Sequence, residues 1–275
     1  MTLYLRGNSL TAIPNLADPN VLKTYGFSDP SEIVSLTFSY ESLEKIENLE
    51  SLVNLKFLDL GHNKIKKIEG LETLVKLEKL FLGSNYISKI EGLETLVNLK
   101  FLDLGFNKIM EIEGLNSLVN LQDLWLSENK ISKIEGLDCL NSLIWLDLSY
   151  NRISKIEKLD TLHKLKNLLL CGNNRIRKLK NLHSQVNLEY LSLSWSNISK
   201  LENISHLQKL KTMIFLGTKI DENTLYKLKD LSSLTDFCSI KGKDLTSILS
   251  KYNKPSKREF IDNLYEEKTT KRLRC

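Results

Sequence analysis

Apolar residues in this chain fall on a frame that repeats every 22 positions. In residues 55–74, LKFLDLGHNKIKKIEGLETL, Leu58 and Leu60 alternate with Phe57 and Asp59, the period of two expected of a strand with one buried face. Beyond Asn63 the spacing becomes three, at Ile65, Ile68, Leu71, Leu74 and Leu77, which suits short 3-10 or extended turns better than a full α-helix. The stretch returns 44 residues later as LKFLDLGFNKIMEIEGLNSL, residues 99–118. A step of 22 aligns Asn63, Asn85, Asn107, Asn129, Asn151 and Asn173 in the pattern L-x-x-L-x-L-x-x-N-x-I. Substitutes extend it, with Asn8 and Glu41 before and Ser196, Thr218 and Gly242 after, to eleven units at most. One unit cannot bury its own leucines, whereas a stack places the strands in one parallel sheet and the leucines in one core. The asparagine amide is expected to satisfy backbone groups where the chain leaves the strand.

Departures from the frame mark the ends. Asn8 and Glu41 are 33 residues apart, and the surplus ADPNVLKTYGF predicts a short helix with Asp18 as N-cap, Pro19 as first residue and Gly26 as its stop. Near the other end DENTLYKLKDL, residues 221–231, gains helical character. It precedes GKDLTSILSKY and SKREFIDNLYEEKTTKRL, where Ser256 and Glu259 have capping-box spacing and Phe260 with Leu264 forms an apolar pair. These segments predict a helical cap over the last repeat. The chain therefore divides into a first repeat with a helical insertion (1–32), the repeats proper (33–245), and a C-terminal helical cap with a solvated basic tail (246–275).

Side chains that alternate with the buried leucines point out from the sheet, and in a solenoid that surface is concave. In five central repeats these positions are Phe57, Asp59, Gly61, His62; Lys79, Phe81, Gly83, Ser84; Phe101, Asp103, Gly105, Phe106; Asp123, Trp125, Ser127, Glu128; and Trp145, Asp147, Ser149, Tyr150. Seven of the twenty are aromatic, five acidic and one is lysine, so this face carries about −4 on a chain of net charge +5. The aromatic precedes the Asp by two places at Phe57, Phe101 and Trp145, and occupies the Asp position at Phe81 and Trp125. On strands ~4.8 Å apart this offset predicts a zigzag aromatic ribbon edged by Asp59, Asp103, Asp123 and Asp147. All three tryptophans, Trp125, Trp145 and Trp195, are outward. Contiguous exposed aromatics mark an interface.

Composition narrows the setting. With 275 residues, 41% of them hydrophobic and 27% charged, the chain is in the globular range. No apolar run reaches the roughly 18–20 residues of a membrane span, and MTLYLRGNSL lacks a basic head followed by an apolar stretch. A cytoplasmic or nuclear location is expected, or delivery into a host cytoplasm by a bacterial secretion system. The cysteines Cys139, Cys171, Cys238 and Cys275 form no C-x-x-C pair and suit a reducing compartment. His62, His163, His183 and His206 fall at different phases of the repeat and so do not stack into a metal cluster. No nucleophile–base pair or phosphate-binding glycine loop is present, so no catalytic residue, metal or cofactor is expected. The acidic concave face disfavours nucleic acid, which it would repel.

The run NKIxKIEGLExLxNLxxLxLxxNxI resembles the 22-residue class of leucine-rich repeats, whose best-known member is the regulatory subunit of type-1 protein phosphatase. The resemblance spans roughly residues 33–245. It implies a horseshoe-shaped α/β solenoid with a parallel sheet on the concave face and short 3-10 or extended turns on the convex side. It also implies a non-enzymatic scaffold that grips a partner protein, a type-1 phosphatase catalytic subunit among the candidates, with an adaptor or a bacterial effector as the alternative. The matching positions are Phe57, Asp59, Phe81, Phe101, Asp103, Asp123, Trp125, Trp145 and Asp147, with Tyr190 and Trp195 further along; Phe106, Glu128 and Tyr150 join them from the outward set. The chain lacks the long N-terminal extension of that subunit, and SKREFIDNL departs from the family's usual C-terminal motif.

Overall fold

The computed structural model describes residues 1–4 and 10–239. Asn8, Gly242 and the predicted helical cap lie outside the described residues. Among the described residues a single parallel sheet of eleven strands runs in chain order. Its strands are β1 (Thr2–Tyr4), β2 (Ser35–Thr37), β3 (Phe57–Asp59), β4 (Lys79–Phe81), β5 (Phe101–Asp103), β6 (Asp123–Trp125), β7 (Trp145–Asp147), β8 (Asn167–Leu169), β9 (Tyr190–Ser192), β10 (Thr212–Phe215) and β11 (Asp236–Ser239). The helix α1, Pro19–Thr24, fills the insertion between β1 and β2; the Asp18 side chain accepts from the Asn20 N–H, and Gly26 follows with φ +81°. A 3-10 helix over Glu222–Asp230 replaces the open turn before β11.

The register explains the shape. Leu58, Leu80, Leu102, Leu124, Leu146 and Leu168 pair in line across β3 to β8, and all are fully buried. Behind them the period-three residues of the turns, such as Ile87, Ile90, Leu93, Leu96 and Leu99, fill the same continuous core. Each coil makes a strand and a turn of nearly constant length, so neighbours superpose and every buried leucine meets its equivalents above and below.

The asparagines join the coils. The Asn107 Nδ2 donates to Leu82 O (3.0 Å), Leu104 O (3.1 Å) and Gly105 O (3.2 Å), and its Oδ1 accepts from the Ile87 N–H at 2.9 Å. Asn63, Asn85, Asn129, Asn151 and Asn173 make the same contacts. Neighbouring amides share carbonyls, since Leu104 O accepts from both Asn107 and Asn129. At the N-terminal end Glu41 takes over the accepting half, receiving the Leu10 N–H at 2.9 Å across the insertion. At the other end Ser196 is too short to bridge, and its buried Oγ has no partner among the described residues.

Candidate protein-binding face

Outward side chains at the first strand position of each central coil are Phe57, Lys79, Phe101, Asp123 and Trp145; at the third they are Asp59, Phe81, Asp103, Trp125 and Asp147. The alternation brings rings of neighbouring strands together. Phe57 and Phe81 have centroids 5.2 Å apart, Phe81 and Phe101 4.6 Å, and Phe101 meets Trp125 edge-on at 5.2 Å. All four rings are half-buried, flanked by one another rather than by the leucine core. Trp145 is half-exposed on β7 and lies outside this chain of ring contacts. The Trp125 indole N–H is shielded from solvent and finds no acceptor among the described residues.

The carboxylates do more local work than their outward placement suggests. Asp59 Oδ1 accepts from the Gly61 N–H (2.9 Å), Asp103 Oδ1 from Gly105 (2.8 Å) and Asp147 Oδ1 from Ser149 (2.9 Å). Each thus closes the turn that follows its own strand, the short-range bonding for which Asp is suited. A Cβ at Gly83 would come within 2.7 Å of the Asp103 carboxylate, so the small residue makes room for the acid of the next coil. Burial pushes the Asp147 carboxyl above its ordinary value, opposed by hydrogen bonds from Ser149 and Ser127. Burial also raises Asp123, opposed by the Lys79 charge. The Tyr190 hydroxyl is pushed up to about 12, chiefly by burial, opposed by a hydrogen bond to Ser192 and assisted by the Asp147 charge.

One rim of the face is built in the left-handed backbone region. Tyr40, His62, Ser84, Phe106, Glu128, Tyr150 and Trp195 all have φ between 53° and 64°, one residue before the Asn position in each coil. That conformation costs roughly 1–2 kcal/mol for a residue with a Cβ, yet the column carries large rings. Trp195 is 56% exposed, Phe106 45% and Tyr40 65%. The Tyr40 ring stacks on His62 with centroids 4.1 Å apart and planes 7° from parallel. Gly172 and Gly217 occupy the same column, and a Cβ on either would strike the ring of the preceding coil, Tyr150 at 2.5 Å and Trp195 at 2.4 Å. Tyr40 and His62 were absent from the predicted set of partner-facing rings; the frame position before Glu41 was the signal that could have placed Tyr40 there.

Beyond β7 the face changes character. Leu169, Ser192, Thr212 and Ile214 stand at outward positions and are nevertheless buried, while Tyr190 remains half-exposed. The open acidic and aromatic surface therefore occupies β3 to β7 and the adjoining rim. Among the described residues no group of three or more His, Cys, Asp or Glu side chains is placed to hold a metal ion. No helix among them is long and apolar enough to cross a membrane.

A one-sheet solenoid with an asparagine ladder is the architecture of leucine-rich-repeat proteins. Residues 53–95 and 97–139 match the family model described as Leucine Rich repeats (2 copies). A leucine-rich-repeat protein of Leptospira interrogans is 25% identical, with a TM-score of 0.62 over 80% of this chain and 64% of that one. An internalin C2 of Listeria monocytogenes is also 25% identical, with a TM-score of 0.58 over 76% of this chain and 82% of that one. The chain thus spans somewhat less than two thirds of the Leptospira protein. No curated protein matches the sequence. The fold is consistent with a protein-binding scaffold.

Proposed function

We propose that the chain is a non-enzymatic scaffold that grips a partner protein on the concave face of β3 to β7. The observation that carries this reading is the strip of rings Phe57, Phe81, Phe101 and Trp125, in mutual contact along the curve yet outside the leucine core. Half-exposed contiguous rings cost hydration free energy, and anchors of this type carry most of the energy of an interface. Asp59, Asp103 and Asp147 are held by their own turns and act as fixed negative charges beside the strip, with Asp123 and Glu128 adding to them. A complementary partner presents an apolar ridge with basic residues along it. Trp145, Phe106, Tyr150, Tyr190 and Trp195 extend the contact along the face and its rim. An open sheet gives acid–base chemistry no enclosed, dry site, and the raised Asp147 carboxyl is engaged by Ser149 and Ser127.

Within this reading the resemblance to the type-1 phosphatase subunit makes that phosphatase's catalytic subunit the first partner to test, in cytoplasm or nucleus. An adaptor or effector that binds a different cellular or host protein is the second, and the bacterial origin of the two solved structures described above supports keeping it. The test is affinity capture from a eukaryotic lysate on the wild type beside a Trp125→Ala, Trp145→Ala double variant of equal melting temperature. The expected result is a protein retained by the wild type and lost from the variant. Absence of type-1 phosphatase from the bound fraction removes the phosphatase reading; identical proteins on both removes the concave-face assignment.

A further inference from the structure

Charge is distributed unevenly along the solenoid. Residues 1–239 contain 29 basic and 29 acidic residues, yet the segment 152–180 holds nine basic against two acidic, leaving the remainder at −7. Most turns neutralise themselves. A lysine is followed two residues later by a glutamate, as in Lys67–Glu69 (3.2 Å) and Lys89–Glu91 (3.7 Å), and Lys133–Glu135, Lys155–Glu157 and Lys200–Glu202 keep that spacing. The turn after β8 breaks the rule. It reads RIRKLK, so Lys180 stands where the flanking coils have Glu157 and Glu202, and Arg177 stands where they have Ser154 and Ser199. Arg175, Arg177, Lys178 and Lys180 are all exposed, and none makes an ion pair among the described residues. The equivalent of Arg175 one coil earlier is Arg152, whose N–H donates to Ile131 O at 2.8 Å, and one coil later is Asn197, bonded in the same way to Ile176 O at 2.9 Å. The cations therefore form one patch on adjacent coils. Rings border it on the rim: the half-buried Tyr150, which lies against Gly172, two residues before Arg152, and the exposed Trp195 two before Asn197.

We infer that this patch, outside the concave face, binds a single-stranded nucleic acid, with Arg175, Arg177, Lys178 and Lys180 on the phosphates and Tyr150 and Trp195 stacking bases. Guanidinium groups fit phosphate bidentately, and unpaired cations bring no carboxylate that must first be displaced. Exposed rings beside cations are the pairing that single strands use, because every base offers a π-face. A strand is narrow enough to follow the one or two coils that are basic. An anionic bilayer would also lie against Glu157 and Glu202 on the flanking coils and Glu135 beyond them, which repel it, and an acidic peptide has no use for the stacking faces. The acidic strip on β3 to β7 keeps the strand off the concave strands, while Tyr150 and Trp195 on the rim are shared, so a strand and a partner that reaches that rim compete there.

The test is fluorescence anisotropy of a labelled oligouridylate of about 12 nucleotides titrated with the full chain at several salt concentrations. Replacing Arg175, Arg177, Lys178 and Lys180 together by Gln is expected to weaken binding at least ~10-fold in low salt and to flatten the slope of log K against log salt by about 3, near 0.7 per lost phosphate contact. Trp195→Ala is expected to weaken binding by about 5-fold or more with the slope unchanged. The Trp125→Ala, Trp145→Ala variant should bind the oligonucleotide like the wild type, which separates this inference from the concave-face reading. An unaltered slope in the quadruple variant overturns the inference, whatever else in the chain holds RNA. So does equal or tighter binding of phosphatidylserine vesicles or of polyglutamate that the same substitutions abolish.

Discussion

Asn107→Ala isolates what one rung of the asparagine ladder contributes. Its Nδ2 group serves Leu82 O, Leu104 O and Gly105 O, but none of these is left without a donor: Leu82 O keeps Asn85, Leu104 O keeps Asn129, and Gly105 O keeps the Ser84 N–H at 2.8 Å. The Ile87 N–H has no such reserve, since the Asn107 Oδ1 at 2.9 Å is its acceptor and the site is buried. An orphaned buried donor costs about 1–3 kcal/mol, and the weakened carbonyl bonds add about 0.5–1.5 kcal/mol, for a total of about 2–4 kcal/mol. Asn107→Asp separates the two halves. A carboxylate still accepts from Ile87 but faces the carbonyls with negative charge in place of a donor, so it is expected to be worse than alanine at neutral pH and to recover on acidification. Urea unfolding followed by circular dichroism, with the slope checked for lost cooperativity between coils, measures both variants. An alanine variant within about 0.5 kcal/mol of wild type, or an aspartate variant as stable as asparagine, refutes the shared-carbonyl reasoning.

Other consequences are read with the same assay. Burial holds the folded Asp147 carboxyl above its ordinary 3.8, so the native state binds the extra proton and this group's contribution to stability falls as pH rises through that window. Asp147→Asn keeps an oxygen for the Ser149 N–H and is expected to raise the melting temperature at pH 7, the gain vanishing as pH approaches 3.8; a gain independent of pH contradicts the cause assigned. At Gly136, φ is +68° and a Cβ would sit 2.2 Å from Ile112 O, so Gly136→Ala is expected to cost about 1–3 kcal/mol. One coil later Lys158 holds φ +57° in the same place, and Lys158→Gly is expected to gain about 1 kcal/mol, a loss being the contrary result. Trp125→Phe removes an indole N–H that has no acceptor, and is expected to remain within about 1 kcal/mol of wild type despite the smaller ring.

The sequence shows most clearly the features that are locked to the repeat. Leucines at a period of two then three, and an asparagine every 22 residues, translate into the core and the ladder because each coil repeats the same backbone. The aromatic ribbon follows equally directly, since the offset of two residues between odd and even coils puts Phe57, Phe81, Phe101 and Trp125 in reach of one another. What remained hidden depends on side-chain direction and on φ. Alternation says that Asp59 points out of the sheet, not that its carboxylate turns back to the Gly61 N–H. It likewise says that Leu169 and Ile214 point outward, not that they are exposed, and both are buried. The left-handed rim is not legible in the sequence because its usual sign, glycine, appears only at Gly172 and Gly217, while Tyr40, His62, Ser84, Phe106, Glu128, Tyr150 and Trp195 adopt that conformation elsewhere. The Glu-for-Asn exchange at Glu41 was visible as a broken frame; that it still serves the ladder required the Leu10 contact.

The claim on which the functional reading turns is that rings on the concave strip, rather than residues of the convex turns, hold the partner. Calorimetric titration of the captured partner against Phe101→Ala tests it most directly, because Phe101 touches both Phe81 and Trp125. The convex and exposed Val97→Ala serves as control. The expected result is a loss of about 2–4 kcal/mol of binding free energy for Phe101→Ala and no change for the control. Equal affinity for wild type and Phe101→Ala, with both chains folded, would contradict it.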